Sequence, residues 1–126
     1  MNLIGKQMKI EYPSAQTVSI WIGTFPTEND FDQSVDEDVA KRLGLKISLE
    51  SICEISFEEK PIDLFKLLEG FSGWEAYIND AVFVGRKRGV EIGNAALVCY
   101  YLKCENAPLE WGRLHFLGSF IGHDID

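Results

Sequence analysis

The chain has 126 residues, of which 46% are apolar and 25% are charged, a composition typical of an ordinary globular domain. Its formal net charge of −8 disfavours direct binding to nucleic acid or to an anionic membrane surface and is compatible with a basic partner. No apolar run approaches the roughly 20 residues that cross a bilayer, and the first residues lack the pattern of a secretion signal. We therefore expect one domain over residues 1–126, located in the cytoplasm.

The hydrophobic periodicity predicts a succession of strands and helices. Period-two alternation marks the strands, whereas apolar residues three or four positions apart, between a capping residue and a glycine, mark the helices. In chain order the sequence predicts an edge strand or loose segment within residues 1–15, a strand over 16–23, a helix capped by Thr27 and ended by Gly44, a strand over 52–58 with an acidic outer face, a short helix from Pro61 to Gly70, a longer helix capped by Ser72 and ended by Gly89, and strands over 95–102 and 113–120. This order, β-α-β-α-α-β-β, predicts an α+β fold with helices packed on one face of a mainly antiparallel sheet, and a hairpin joining the last two strands.

Catalytic and cofactor-binding motifs are missing from the sequence. His115 and His123 have no companion at metal-ligand spacing, so we expect both on the surface. Gly118 and Ser119 lie in the segment LGSFIG, which is not the G-x-S-x-G motif of a nucleophile elbow, and no glycine-rich nucleotide-binding motif occurs. The sequence predicts no catalytic residue, no metal and no cofactor.

The three cysteines, Cys53, Cys99 and Cys104, include no C-x-x-C pair. An odd set with apolar neighbours is typical of reduced structural thiols. A link between Cys99 and Cys104, or a redox role, is the alternative.

Acidic residues are concentrated in one part of the chain. Residues 27–60 carry ten acidic and four basic side chains, a net charge of −6. Two favourable pairs with i,i+4 spacing, Glu37 with Lys41 and Asp38 with Arg42, account locally for some of this charge. The remaining acidic residues need another explanation.

Glu28, Asp32 and Asp36 form a like-charged row at i,i+4 spacing, which costs about 0.2–0.5 kcal/mol per pair. Such a row indicates either an electrostatic docking surface or a solvated face. Trp74, after a helix cap, and Trp111, at the end of a loop, are candidate aromatic anchors for a partner, with core packing as the alternative. The candidate partner-binding residues are Glu28, Asp32, Asp36, Glu54, Glu58, Glu59, Trp74 and Trp111.

Four segments, between about residues 18 and 120, resemble the immunity protein 22 family of bacterial polymorphic toxin systems. They are TVSIWIGTF, LLEGFSGWEAYI, NAALVCYYL and LHFLGSF, in that order along the chain. The matching positions are Trp21, Gly23, Phe25, Gly70, Phe71, Ser72, Phe116, Leu117, Gly118, Ser119 and Phe120. We expect most of them to be structural.

The resemblance implies a cytosolic antidote that binds and blocks a toxin encoded beside it and is not an enzyme. An acidic surface fits a toxin with a basic surface, and a nuclease is the favoured class because enzymes that act on nucleic acid have basic clefts. Two other functions stay open: a small enzyme that uses a pair of carboxylates, and a protein-interaction module whose partner is not a toxin.

Overall fold

The structure is a computed structural model and describes residues 7–122. Within this range it is an α+β fold, as the sequence predicts. The strands are β1 (Lys9–Glu11), β2 (Thr17–Gly23), β3 (Cys53–Asp63), β4 (Ile92–Tyr100), β5 (Lys103–Glu105), β6 (Glu110–Trp111) and β7 (Leu114–Ile121). The helical elements are α1 (Glu28–Ser34), a π-helical stretch (Val35–Ala40), α2 (Lys41–Leu43), a 3₁₀ turn (Leu49–Ser51), α3 (Leu64–Leu68) and α4 (Trp74–Lys87).

An antiparallel sheet of five strands, in the order β3-β4-β2-β7-β6, forms the centre of the described residues. The edge strand predicted as one alternative for residues 1–15 forms as β1, which pairs with β5 in a separate two-stranded sheet. Residues 1–6 of that segment lie outside the described range. The hairpin predicted between the last two long strands is wrong, because β2 lies between β4 and β7. β2 takes the central place since all of its residues are buried, on both faces.

Helical elements cover both faces of the sheet, which corrects the expectation of a single helical face. Side chains of β2 alternate between two cores, so that Ile20 packs beneath α3 and α4 and Trp21 packs beneath the helical segment 28–43. β4 alternates in the same way, with Val98 in the first core and Leu97 in the second. A sheet that is apolar on both faces needs a covering layer on each.

The helix predicted after Thr27 forms as one helical segment, residues 28–43, with the π-helical stretch at its centre. Thr27 caps it, because its hydroxyl accepts a hydrogen bond of 3.1 Å from the backbone N–H of Asp30. The apolar residues from Phe31 to Leu43 recur every four positions, a spacing that would rotate by about 40° per step around an α-helix of 3.6 residues per turn. The wider π turns oppose this rotation and keep the stripe on the second core.

β3 is an edge strand and is longer than predicted. Its ladder with β4 is interrupted between Phe57 and Ile62, and Pro61 lies in that irregular stretch instead of opening a helix. An edge strand tolerates proline there because the missing N–H is not needed for the ladder. α3 starts at Leu64, capped by the carboxylate of Asp63.

β7 changes face halfway along its length. Leu114 and Phe116 pack in the second core, and the pattern predicts Phe120 beside them. A register shift opposite Trp21 inserts Leu117, so Phe120 packs against the first core instead. A bulge of one residue moves every later side chain of the strand to the opposite face of the sheet.

Candidate functional site

A groove of about 730 Å³ lies between the helical segment 28–43 and the edge strand β3. Three exposed acidic side chains, Asp32, Asp36 and Glu50, line it, and we call it the acidic groove. Most of its remaining lining is apolar: Val35, Ala40, Leu43, Leu45, Ile47, Leu49, Cys53 and Ile55. Among the residues that the structure describes, no lysine, arginine or histidine lines the groove. The groove therefore combines negative charge with apolar surface.

The carboxylates of the acidic groove have no cationic partner among residues 7–122. The one ion pair within 4.0 Å in that range joins Lys103 to Glu105 at 3.6 Å, and neither residue lines the groove. Like charges that share a concave surface with apolar walls focus a negative potential outward. The groove is thus suited to attract a cation or a basic side chain.

The two ion pairs predicted along the helix, Glu37 with Lys41 and Asp38 with Arg42, are not formed within 4.0 Å. Asp38 instead accepts a hydrogen bond of 2.7 Å from the Ser34 hydroxyl. The Arg42 guanidinium lies 5.1 Å from the centre of the Trp111 ring, a cation–π distance. Gly112, with φ of +63°, lies against Asp38 so closely that a Cβ would overlap the carboxylate.

The structure does not bring all the predicted acidic residues together. Glu28, Glu58 and Glu59 are exposed but do not line the acidic groove. Glu50 does line the groove, because the 3₁₀ turn places it there. It follows no periodic pattern in the sequence, so charge spacing along a helix or strand does not identify it.

Glu54 has a structural role instead of a free, partner-facing carboxylate. Its carboxylate accepts hydrogen bonds from the Ser72 backbone N–H (2.9 Å) and hydroxyl (3.1 Å), and from the Tyr100 hydroxyl. Ser72 therefore does not cap α4 as predicted; Gly73 occupies that position without a side-chain bond. The Tyr77 hydroxyl completes the network by donating to the Ser72 carbonyl at 3.1 Å. The network fixes the start of α4 to β3.

Burial raises the pKa of Glu54, but the hydrogen bonds from Tyr100 and Ser72 outweigh burial, so the net effect is a lowered pKa. A lowered folded-state pKa adds stability that is present above the unfolded value and lost as pH falls through the folded value. We expect Glu54→Gln to reduce the free energy of unfolding by about 1 kcal/mol at pH 7, a modest loss because the carboxylate is exposed, and by less at pH 3. Urea unfolding of both proteins at the two pH values measures this, and an equal loss at both would contradict it.

Trp111 is fully buried, which corrects its assignment as a partner anchor. Its ring centre lies 5.2 Å from that of Trp21 in an edge-to-face contact, and its indole N–H donates to the Pro108 carbonyl at 2.7 Å. Trp74 is half-buried and packs against Phe65 with 6.1 Å between ring centres. Trp74 begins α4, on the opposite face of the sheet from the acidic groove.

Only one of the two histidines lies in the described range. His115 is exposed on β7, as expected, and His123 lies outside the described range. Residues 7–122 contain no group of three or more histidine, cysteine and acidic side chains that could hold a metal ion. In the same range no helix is long and apolar enough to span a membrane.

The three cysteines are free thiols in different surroundings. Cys53 is half-buried in the acidic groove, and a side-chain hydrogen bond with Cys99 lowers its pKa. Burial raises the pKa of Cys99, and raises that of Cys104 to about 11.

We expect Cys53 to react with an aromatic disulfide reagent at pH 8 at least about tenfold faster than the other two thiols, because the thiolate is the reactive form. Counting the released chromophore should give one fast thiol in the folded protein and three in denaturant. The variant Cys53→Ser should lose the fast phase. Three equal rates in the folded protein would contradict the assignment.

Most positions that carry the family resemblance are structural here. Trp21, Phe25, Phe71, Phe116 and Leu117 are buried in the two cores. In addition, the Ser119 hydroxyl bonds the Ser19 hydroxyl at 2.7 Å and accepts from the Cys104 backbone N–H at 2.9 Å, joining β7 to β2 and β5.

Comparisons of the chain with protein-family models, with curated proteins and with solved structures found no match.

Proposed function

We propose that this protein is a non-catalytic, cytoplasmic immunity protein that binds and neutralises a cognate bacterial toxin through its acidic groove. The observation that carries the proposal is the set of three carboxylates, Asp32, Asp36 and Glu50, without described cationic partners around an apolar lining. The motif resemblance supplies the class of partner.

The chemistry of the groove supports a basic protein partner. Lysine or arginine side chains of the partner would pair with the groove carboxylates, while its apolar atoms would displace water from the lining around Ile47 and Ile55, which are 40% and 46% exposed. Charge complementarity also speeds the encounter of the two proteins. A nuclease is the favoured toxin because its active site must be basic to bind phosphates, and covering that site would block it.

Co-expression with the product of the adjacent gene, tested for toxicity by itself, tests the proposal. We expect growth to be restored, the two proteins to purify together, and association to slow as sodium chloride is raised, because salt screens the attraction. Failure of rescue together with no complex would overturn the proposal. A basic partner without toxicity would instead identify a general interaction module.

A carboxylate-dependent enzyme is the second candidate, because the acidic groove does bring several carboxyl groups to one concave surface. Acid–base catalysis would require two of these groups to titrate well apart, one of them near neutral pH. A carbon-13 NMR titration of the side-chain carboxyls decides: a groove carboxyl that titrates above about pH 6 would favour the enzyme.

A further inference from the structure

The outer edge of β3 offers unpaired main-chain groups directly beside the acidic groove. Among the described residues, no strand pairs with this edge. The Tyr100 N–H donates to the Ile52 carbonyl at 2.7 Å, so this carbonyl and, two and four residues later, the main-chain groups of Glu54 and Ser56 are directed towards β4. The intervening residues direct theirs outward: Cys53, Ile55 and Phe57.

This stretch of the edge lacks the features that usually protect an edge strand from pairing. Beyond Phe57 the strand is irregular, contains Pro61 and carries three successive charges over residues 58–60, all of which oppose the addition of another strand. Over residues 53–57 the ladder with β4 is regular, and the one charged residue, Glu54, is held by Ser72 and Tyr100. The regular stretch is therefore competent to accept a strand.

The same residues connect this edge to the acidic groove. Cys53 and Ile55 line the groove and have outward-directed main-chain groups. A strand paired beside them would place alternate side chains on the groove face, close to Asp32, Asp36 and Glu50. Lysine or arginine at those positions would meet the carboxylates.

We infer that the partner contributes an extended, basic segment that pairs with β3 over residues 53–57 and inserts its side chains into the acidic groove. This inference rests on the proposed function, which it makes specific by naming the mode of recognition. A second copy of this chain is a poorer occupant, because a net charge of −8 and two facing acidic grooves would repel each other.

The test uses a synthetic peptide of alternating lysine and valine, capped at both ends, with the glutamate–valine peptide as the charge control. Titration into the nitrogen-15-labelled protein is followed by NMR, and backbone amide exchange is measured for residues 53–57. With the lysine peptide we expect exchange at Cys53, Ile55 and Phe57 to slow at least about tenfold, while Glu54 and Ser56, already bonded to β4, change little. The glutamate peptide should bind at least about tenfold more weakly.

The variant Ile55→Pro provides a second test, because proline removes an N–H that makes no bond to β4. We expect it to fold, as judged by circular dichroism, and to bind the lysine peptide at least about tenfold more weakly. The control Ile55→Ala keeps the N–H and should retain the amide protection. If the proline variant does not fold, the amide exchange of the unaltered protein decides.

The outcomes separate the inference from the proposed function. Binding of the lysine peptide without slower exchange at Cys53, Ile55 and Phe57 overturns strand pairing and leaves the acidic groove as a charged docking site. No saturable binding at about 1 mM peptide also overturns strand pairing, whether or not the toxin is neutralised. Protection of those amides in the free protein would show that another segment, or a second copy if it depends on concentration, already covers the edge, which overturns the inference.

Discussion

Replacing Trp111 by alanine should lower the free energy of unfolding by about 3–5 kcal/mol, the typical cost of removing a large buried aromatic side chain. The ring is fully buried in the second core, touches Trp21 and Phe116, and its N–H bonds the Pro108 carbonyl. Alanine would leave a cavity where the β6–β7 turn packs on the helical segment 28–43. Urea unfolding followed by circular dichroism measures the loss.

Two matched variants separate packing from the single hydrogen bond. Trp111→Phe retains most of the ring contacts and should cost less than alanine, about 1–3 kcal/mol for the lost volume and for the hydrogen bond to Pro108. Trp74→Ala, at a half-buried ring, should cost about 1–2 kcal/mol, in line with the smaller area removed from contact. Equal losses for Trp111→Ala and Trp74→Ala would show that Trp111 is not a core residue.

The local elements of the fold could be predicted from the sequence because their signals are local. Thr27 and Gly44 bound the helical segment 28–43 as expected, with Gly44 in the left-handed conformation that ends a helix. The apolar run over 95–102 correctly predicted a strand, although β4 begins three residues earlier and ends two residues sooner.

What the sequence could not predict depends on long-range contacts or on small irregularities. β2 lies between β4 and β7 in the sheet. Hydrophobic periodicity does not predict this order, because the three strands have similar apolar patterns. The extra residue at Leu117 moves the later side chains of β7 to the opposite face of the sheet. The π turns change which side of the helical segment 28–43 its later side chains occupy. Each irregularity involves a few residues, but it changes which side chains meet.

The candidate site shows the same division. Asp32 and Asp36 could be predicted from their spacing on the helix, and both line the acidic groove. Glu54 has the same local pattern as an exposed acidic residue, yet Ser72 and Tyr100, distant in sequence, bond its carboxylate. Charge patterning identifies the acidic side chains, whereas only the tertiary structure shows which of them are free to bind a partner.

Reversing the charge of the acidic groove with Asp32→Lys and Asp36→Lys should weaken binding of the toxin at least about 100-fold, or about 2.7 kcal/mol. Both side chains are exposed, so the fold and thermal stability should change little. The dissociation constant should also become less sensitive to salt, because attractive pairs are replaced by repulsion. Calorimetry or surface plasmon resonance at two salt concentrations measures both effects.

The matched control is Glu75→Lys with Asp80→Lys, which changes the net charge by the same amount on α4, across the sheet from the acidic groove. Both residues are exposed, and a change at this distance is largely screened at physiological salt, so we expect a loss of about threefold or less. If the two double variants weaken toxin binding equally, the affinity depends on net charge alone and the acidic groove is not the binding surface. Strong weakening by the Asp32 and Asp36 variant alone would assign binding to the groove, because total charge is then held constant between the two proteins.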